Sequence, residues 1–385
     1  MAKRTVCVVT GSRAEYGLLR GVMREIADDP RLELQVIATG MHLAPEFGNT
    51  HLEIEADGFR IDAKVEMLLS SDTPLGVTKS VGLGIMGMGG ALDRLKPTLL
   101  LLLGDRFEIL AAAIAATIAG IPIAHIHGGE VTEGVMDDAF RHAITKMSHL
   151  HFTSAEGHSA RVIQMGEDPE RVFNVGAPGV DEAMGTELLD RARMEEELKI
   201  ALSAPVLLVT YHPVLIGGGN PAAGLAEVLA ALDEVDGTFV FTRPNADPGG
   251  RVLNGMIDSF VAEHQGRATA VTSLGQQRYV SMLSLADVVI GNSSSGLIEA
   301  PAMGTPTINV GSRQSGRLRG DSVIDASENR ASVRAAIEKA LSPDFRAKAA
   351  GSISPYGTGG APKKIKDAIA TADLSRILAK RFHGR

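Results

Sequence analysis

Acidic and histidine side chains are concentrated in one stretch of the chain, residues 99–147. The members with the clearest capacity to exchange protons with a bound molecule are Asp105, His127, Glu130, Asp137 and Asp138. Carboxylates and imidazoles are the usual general acids and bases, and neighbours such as Asp137 and Asp138 would share a proton. The stretch is therefore a candidate acid/base site, although carboxylates at a helix start also serve simply to stabilise the helix.

Two short apolar segments, Leu99–Leu103 and Ile121–Ile126, must position these groups. Each has the length and composition of a strand buried on both faces of a parallel sheet. Ligands of such sheets bind just beyond the carboxyl ends of the strands, where Asp105 and His127 would lie. The helix that follows would present Asp138, Arg141 and His142 on one face, because these residues are three and four positions apart.

The chain opens with a predicted strand, Thr5–Thr10, and a glycine-containing turn that leads into a helix. Backbone N–H groups at such a turn can bind an anion, and Arg13 would add a fixed positive charge. An ordinary turn with an exposed arginine is an equally good interpretation of this segment alone.

The second half of the chain repeats the alternation, with strands predicted at Val206–Thr210, Thr238–Thr242, Val288–Gly291 and Thr305–Val310. Ser293 and Ser294 follow the third of these strands at a helix N-terminus, where hydroxyl and N–H donors suit a diphosphate. Glu299, one turn into that helix, is placed to accept the paired hydroxyls of a ribose. A helix-capping run is the alternative, but Arg313, Arg317 and Arg319 favour a bound anion.

Composition limits the class of protein. The 385 residues are too many for one ordinary core, and the net charge of −8 does not favour nucleic-acid or membrane binding. The one cysteine, Cys7, lies in an apolar segment and cannot form an intrachain disulfide. The N-terminal apolar run is too short for a signal peptide, so a cytoplasmic protein is expected.

One motif match is interpreted as accidental. Residues 82–87, GLGIMG, fit the dinucleotide fingerprint G-x-G-x-x-G, but the segment before them, from Pro74, has the pattern of a helix start rather than a buried strand. The sequence contains neither a phosphate-loop motif nor the H-E-x-x-H zinc motif. We therefore expect no NAD, no other cofactor and no metal.

These patterns predict an α/β protein with two facing, doubly wound Rossmann-like domains and a cleft between them. The expected boundaries are 1–180 for the acid/base domain and 181–365 for the nucleotide-binding domain. A C-terminal helix, 366–385, is expected to pack back on the first domain.

Six motifs, in this order, resemble the hydrolysing UDP-N-acetylglucosamine 2-epimerases, particularly the branch that feeds sialic and legionaminic acid synthesis: Gly11–Tyr16, Gly104–Arg106, His125–Glu130, Asp137–His142, Gly291–Gly296 and Gly311–Gln314. The resemblance covers residues 4–369. It implies the glycosyltransferase-B architecture, a homodimer, and release of UDP with inversion at C2 to give a free mannosamine-type sugar.

The resemblance also implies roles for individual residues. Asp105, Asp137 and Asp138 become acid/base or sugar-orienting groups, and His212 becomes a partner of the phosphate leaving group. The resemblance assigns nucleotide binding to six residues: Arg13, Asn245, Ser293, Ser294, Glu299 and Arg313.

Two positions depart from the family pattern. Many members have glutamate where this chain has His127, so either His127 or Glu130 would supply that acid/base group. The chain also has Tyr356-Gly357-Thr358-Gly359 where members tend to have Tyr-Gly-Asp-Gly, a change expected to affect domain closure more than chemistry.

The chemistry expected for such a substrate is an elimination followed by hydration. A carboxylate would remove the C2 proton as the C1–O bond breaks, fixed arginines and a protonated His212 would stabilise the diphosphate, and water would then add to the glycal. UDP-N-acetylglucosamine is the expected substrate, with UDP-N,N'-diacetylbacillosamine or a GDP-linked analogue as alternatives. A glycosyltransferase or a noncatalytic nucleotide-sugar sensor would bind the same donor without needing the acid/base residues.

Overall fold

The computed structural model describes residues 3–71, 73–133, 136–213, 221–243, 250–272 and 274–384. The chain divides into two compact units. Unit 1 comprises Met1–Val131, Val135–Glu182 and Gly359–Arg385, and unit 2 comprises Thr132–Gly134 and Ala183–Thr358.

The strands are, in chain order, β1 (Arg4–Thr10), β2 (Leu32–Thr39), β3 (Ala63–Val65), β4 (Leu99–Leu103), β5 (Ile123–Ile126), β6 (Leu150–Thr153), β7 (Val172–Asn174), β8 (Val206–Thr210), β9 (Thr238–Thr242), β10 (Ala268–Val271), β11 (Val288–Gly291), β12 (Thr307–Val310) and β13 (Val323–Ala326).

The helices are α1 (Arg13–Asp28), α2 (His51–Ala56), α3 (Pro74–Leu95), α4 (Phe107–Ile118), α5 (Met136–Met147), α6 (Glu156–Gln164), α7 (Pro178–Gly185), α8 (Arg191–Leu198), α9 (Pro221–Leu232), α10 (Gly250–Glu263), α11 (Gly275–Leu285), α12 (Ser295–Ala302), α13 (Arg330–Leu341), α14 (Pro343–Ala350) and α15 (Ala361–Thr371). Short 3-10 helices lie at Gly40–Leu43, Pro45–Phe47 and Pro169–Arg171.

Unit 1 contains a parallel sheet in the order β3-β2-β1-β4-β5-β6-β7. Its central strands are buried on both faces, as the unbroken apolar run of β4 predicts. Alternate residues of β1 enter separate cores on the two sides of the sheet: Val6 and Val8 on one, and Cys7 and Val9 on the other. Burial raises the pKa of the Cys7 thiol far above its ordinary value, as expected for an inert core cysteine.

Unit 2 contains a second parallel sheet, in the order β10-β9-β8-β11-β12-β13. The bounds of β8, β9 and β11 are those predicted from the sequence. The prediction missed β3, β10 and β13, and each of these is the outermost strand at one edge of its sheet. An edge strand is short and partly exposed, so it lacks the continuous apolar run that identifies a central strand.

The chain returns to unit 1 through α15. Ala361, Ile365 and Ile369 of this helix are buried in the same core as β1, and Arg4 donates a hydrogen bond to the carbonyl oxygen of Ala372 at 2.8 Å. The boundary that we expected at residue 366 therefore falls inside a helix, because the helix packs as one element.

Residues 82–87 lie in the middle of α3, so the dinucleotide motif there is accidental. Among the described residues, α3 is also the one helix long and apolar enough to cross a bilayer by length and composition. That is weak support for a membrane span, since a core helix of a soluble protein meets the same criteria.

Both sheets reverse their strand order at one point. In unit 1 the reversal lies between β1 and β4, and in unit 2 between β8 and β11. In doubly wound folds the loops at this switch point form the ligand site. The segments after these four strands carry half of the twelve site residues predicted from the sequence.

Candidate functional site

Arg141 is the centre of the acid cluster in unit 1. It lies on α5, is almost fully buried, and contacts Asp105, which follows β4. Its Nη1 also donates to Asp138 Oδ1 at 2.9 Å and to the Glu130 backbone oxygen at 3.1 Å. One guanidinium thus brings together three residues predicted from the sequence, from three separate segments of the chain.

Asp138 belongs to the network around Arg141. Its Oδ1 accepts from Arg141 Nη1, and its Oδ2 lies 3.5 Å from His142 Nε2. Asp137 precedes it on the same helix, and a proton shared between the two aspartates stays a prediction.

His127 and Glu130 form a direct pair at the end of β5. His127 Nδ1 lies 2.7 Å from Glu130 Oε1, and both side chains are nearly buried. Glu130 Oε1 also accepts from Ser154 Oγ at 2.7 Å, and that hydroxyl is 2.9 Å from His158 Nδ1. The opposite ring nitrogen of His127, Nε2, is buried and has no hydrogen-bond partner in the described part of the chain.

The backbone at His127 is unusual. Its φ of +68° lies in the left-handed region, which non-glycine residues seldom occupy. Two residues on, Gly129 has φ +78°, and a Cβ there would come within 2.4 Å of the His158 carbonyl oxygen. The loop after β5 is therefore held in a strained, tightly packed conformation, as is common at functional sites.

His125, in contrast, has a structural role. Its ring is fully buried, with Nε2 2.7 Å from the Gly104 carbonyl oxygen and Nδ1 3.2 Å from Thr145 Oγ1. Burial lowers the pKa of His125 to about 3, so the ring is neutral. Through these two contacts, His125 connects the residue that follows β4 to helix α5, the two segments that carry Asp105 and Asp138.

The turn after β1 encloses the carboxylate of Glu15, which lies near the buried carboxylate of Glu108. Glu15 Oε2 accepts from the backbone N–H groups of Gly11 at 2.7 Å and Ser12 at 3.1 Å, so the acid occupies the turn at which an anion was predicted. Burial, and then the charge of Glu108, raise the pKa of Glu15 to about 8. Arg13 projects from the same turn, and its Nε donates to Glu53 on α2 at 2.9 Å.

His212 follows β8 in unit 2 and is held by Asn292, which follows β11. The Asn292 side chain accepts from the His212 N–H at 2.7 Å and donates to the His212 carbonyl oxygen at 2.9 Å. Burial, and then the charge of Arg313, lower the pKa of His212 to about 3. The expectation of a protonated His212 does not agree with this shift, which favours the neutral ring.

Arg313 and Gln314 also hold the loop that contains Asn292. Both donate to the Asn292 backbone oxygen, at 2.9 Å and 2.8 Å. Gly291, just before Asn292, has φ +138°, and a Cβ there would lie 1.8 Å from the Thr210 carbonyl oxygen. Strands β8 and β11 can therefore approach this closely only with glycine at that position.

The two predicted serines directly precede helix α12. Ser293 and Ser294 are half-buried in the turn before the helix, and Glu299 is half-buried one turn into it. Tyr279, on α11, donates to Ser295 Oγ at 2.8 Å and closes one side of this helix start. The remaining predicted residue, Asn245, lies outside the described residues.

Sequence reasoning placed Arg141 on one helix face with Asp138 but gave it no role in the site, and it omitted Ser154 and His158. Arg141 had a detectable signal, since it lies three positions after Asp138 on a helix. Ser154 and His158 follow β6, and the fold brings Ser154 to Glu130 and His158 to Ser154, so no spacing relative to Glu130 identifies them.

The family model described as UDP-N-acetylglucosamine 2-epimerase matches residues 24–370. The chain is 39% identical over 384 residues to the GDP/UDP-N,N'-diacetylbacillosamine 2-epimerase (hydrolyzing) of Campylobacter jejuni, covering 99% of each chain. It is 35% identical to the UDP-N,N'-diacetylbacillosamine 2-epimerase (hydrolyzing) of Legionella pneumophila, covering 98% of each.

The fold is also that of solved structures. The UDP-GlcNAc 2-epimerase of Neisseria meningitidis, bound to UDP-GlcNAc, is 19% identical with a TM-score of 0.83, over 96% of this chain and 100% of the other. The predicted fold class, two Rossmann-like sheets of the glycosyltransferase-B type, is confirmed. The chain belongs to the hydrolysing UDP-N-acetylglucosamine 2-epimerase family, in the branch of sialic- and legionaminic-type sugars.

Proposed function

We propose that this enzyme hydrolyses a UDP-linked 2-acetamido sugar with inversion at C2, and that the sugar is N,N'-diacetylbacillosamine. The observation that supports this proposal best is the His127–Glu130 pair beside the Arg141 network, an acid/base set at the carboxyl ends of β4 and β5. The two relatives at 39% and 35% identity carry names that specify diacetylbacillosamine, whereas a relative named UDP-N-acetylglucosamine 2-epimerase, from Neisseria meningitidis, is 30% identical.

Unit 2 is proposed to bind the nucleotide. The hydroxyls of Ser293 and Ser294 and the N-terminus of α12 would donate to the diphosphate, and Glu299 would accept from the ribose hydroxyls. Arg313 would offset the charge that develops on the departing phosphate oxygen. The neutral ring of His212 would assist as an N–H donor, and the arriving negative charge would favour its protonation.

Unit 1 is proposed to carry out the proton transfers. Glu130 orients the His127 ring by accepting a hydrogen bond from its Nδ1–H. The lone pair is then on Nε2, which has no hydrogen-bond partner among the described residues, and Nε2 takes the C2 proton. The C–H electrons form the C1–C2 double bond of a glycal, and the C1–O electrons leave with UDP.

The second step adds water across the C1–C2 double bond. The water oxygen bonds to C1 and its surplus proton is released, while an acid whose proton exchanges with solvent protonates C2 on the opposite face, which completes the inversion. We propose that three aspartates orient the sugar and supply the proton to C2: Asp105 and Asp138, which both contact Arg141, and Asp137. Arg13 is proposed to bind the nucleotide. The free sugar and UDP are the products.

Incubation in D₂O with UDP-N,N'-diacetylbacillosamine, UDP-N-acetylglucosamine and the GDP-linked analogue tests the proposal. We expect deuterium at C2 of a free, inverted sugar and the highest kcat/KM for the first donor. A higher kcat/KM for UDP-N-acetylglucosamine would assign that substrate instead. Transfer of the sugar only to an added acceptor would indicate a glycosyltransferase, and binding without turnover would indicate a sensor; either result would refute the proposal.

A homodimer in the cytoplasm completes the proposed function. On α3, the side chains of Leu75, Leu83 and Met86 are exposed on one face, and exposed Ile118 lies on the neighbouring α4. Apolar faces of this kind commonly mark protein interfaces. We expect M86K/I118K to shift the mass in light scattering from dimer to monomer, whereas I353K, an exposed position in unit 2, should not.

A further inference from the structure

A cavity lies at the amino ends of strands β6 and β7 in unit 1, on the opposite side of the sheet's strand ends from the candidate active-site loops. His149 immediately precedes β6, and Glu167 and Arg171 precede β7, so they lie at the amino ends of these parallel strands. The candidate active-site loops follow the carboxyl ends. The C-terminal segment Arg376–His383 forms the other wall and encloses a cavity of about 480 Å³. This volume is within the range that holds small ligands.

The cavity is cationic in a chain with a net charge of −8. Four lining side chains, Arg171, Arg376, Lys380 and Arg381, are cations, and two, Glu167 and Asp168, are carboxylates. The Glu167 carboxylate is already neutralised, because Lys146 lies 2.5 Å and Lys380 2.6 Å from its oxygens. The unbalanced charge therefore comes from the arginines, whose planar guanidinium groups match phosphate oxygens.

His149 supplies a neutral donor to the same cavity. The backbone N–H of Ile123 donates to its Nδ1 at 3.2 Å. Burial, and then the charge of Lys380, lower the pKa of His149 to about 4, so the ring is neutral at pH 7. With Nδ1 acting as acceptor, the ring proton must be on Nε2, which can donate to an anion.

An aromatic ring stands at the rim. Phe382 is 74% exposed, and its ring is fixed on one side by the Lys146 ammonium group, 5.1 Å from its centroid. Its edge covers Gly166, where a Cβ would come within 2.4 Å of the ring. An exposed ring held in place next to arginines is a surface on which a nucleobase can stack.

The C-terminal segment Arg376–His383 is hydrogen-bonded to α5, the helix that also carries residues of the candidate active site. Lys380 Nζ donates to the carbonyl oxygens of Lys146 and Ser148, at 2.7 Å each, at the C-terminal end of α5. The other end of α5 carries Asp138 and Arg141. A ligand that orders the C-terminal segment would thus act on the helix that holds the acid network.

We propose that this cavity binds an anionic nucleotide as an effector, with the phosphates on Arg376 and Arg381 and the base on Phe382. The site is separate from the nucleotide site of unit 2, because all of its residues belong to unit 1 and lie at the amino edge of the sheet.

Calorimetric titration with ADP and with pyrophosphate tests the binding. The R313E background is used so that the nucleotide site proposed for unit 2 is disabled. We expect ADP to bind there, and R376E/R381E to weaken it by about tenfold or more, since each lost contact to a charged group is substantial. The control K348E/K363E makes the same charge change outside the cavity and should leave the affinity unaltered, and thermal unfolding checks that all variants fold.

Further measurements separate the components of the proposal. In the R313E background, F382A should bring the ADP affinity down to that of pyrophosphate. Equal affinities for ADP and pyrophosphate in R313E with Phe382 intact would overturn the nucleotide assignment. With Arg313 intact, ADP should shift the apparent KM by about fivefold, and this shift should disappear in R376E/R381E. Absence of ADP binding in R313E, or binding that R376E/R381E leaves unchanged, would overturn the site, and binding without a kinetic effect would overturn the effector role.

Discussion

His127 and Glu130 are joined by a 2.7 Å contact between Nδ1 and Oε1, while the backbone of His127 has a φ of +68°. A left-handed conformation costs a non-glycine residue about 1–3 kcal/mol. The fold therefore tolerates strain at the residue whose other ring nitrogen, among the described residues, is buried without a partner. This combination is what distinguishes the proposed base from the neighbouring His125, which is fully hydrogen-bonded.

Replacing Glu130 tests the pair. We expect E130Q to lower kcat by about 10²-fold or more, because the neutral amide lacks the negative charge that stabilises the protonated form of the ring. The double variant H127F/E130Q should be no slower than H127F, since residues that act as a unit are not additive. S154A, which removes the hydroxyl contacts to Glu130 and His158 but leaves the His127–Glu130 pair in place, should lower kcat much less. Additive losses in the double variant would contradict a coupled pair.

Replacing Arg141 tests the network. R141M leaves Asp105 and Asp138 without their buried partner, and we expect the free energy of unfolding to fall by about 3–5 kcal/mol. In urea unfolding, the combination D105N/R141M should recover part of this loss because one orphaned carboxylate has been removed. R193M, which breaks an exposed ion pair on α8, is the control and should change stability by less than about 1 kcal/mol.

The acidity of His212 depends on its neighbour. Because the positive charge of Arg313 contributes to lowering the pKa of His212 to about 3, R313Q should raise that pKa. Burial, the larger cause, remains, so the pKa should stay below the ordinary value for histidine. An NMR titration of the His212 ring measures this directly. Protonation of His212 near pH 6.5 in the parent chain would show that the ring is not held neutral.

Glu15 makes stability depend on pH. Its folded pKa of about 8 exceeds the value of about 4.3 expected in the unfolded chain, so folding favours the protonated form. This contribution is complete below pH 4 and is lost as the pH rises toward 8. Relative to E15Q, we expect the parent chain to lose up to about 1.4 kcal/mol per pH unit across that window, measured by urea unfolding. E263Q, on an exposed helix end, should follow the parent curve; an E15Q curve that does so would refute the assignment.

Two glycines give a matched comparison. G291A would place a Cβ 1.8 Å from the Thr210 carbonyl oxygen at a φ of +138°, so we expect unit 2 to unfold at a markedly lower temperature. G255A, inside α10 with no heavy atom within 4 Å of the new Cβ, should stabilise by about 0.5–1 kcal/mol. Calorimetry on both variants separates backbone strain from a general effect of alanine.

The sequence by itself determined the two α/β sheets, because apolar runs such as Leu99–Leu103 fit only a strand buried on both faces. It also identified the strand ends at which Asp105, His127 and Ser293 lie, since these residues directly follow such runs. Edge strands such as β13 escaped prediction because their half-exposed pattern carries a weaker signal.

Only the tertiary structure decided the contacts between these segments. Arg141 contacts Asp105 across 36 positions of sequence, and Asn292 holds His212 across 80. No local spacing encodes such partners, because they are set by strand order and by how the crossover helices pack. The same holds for charge state: desolvation makes His212 neutral and favours a protonated Glu15, and burial of a polar side chain is a property of the folded chain.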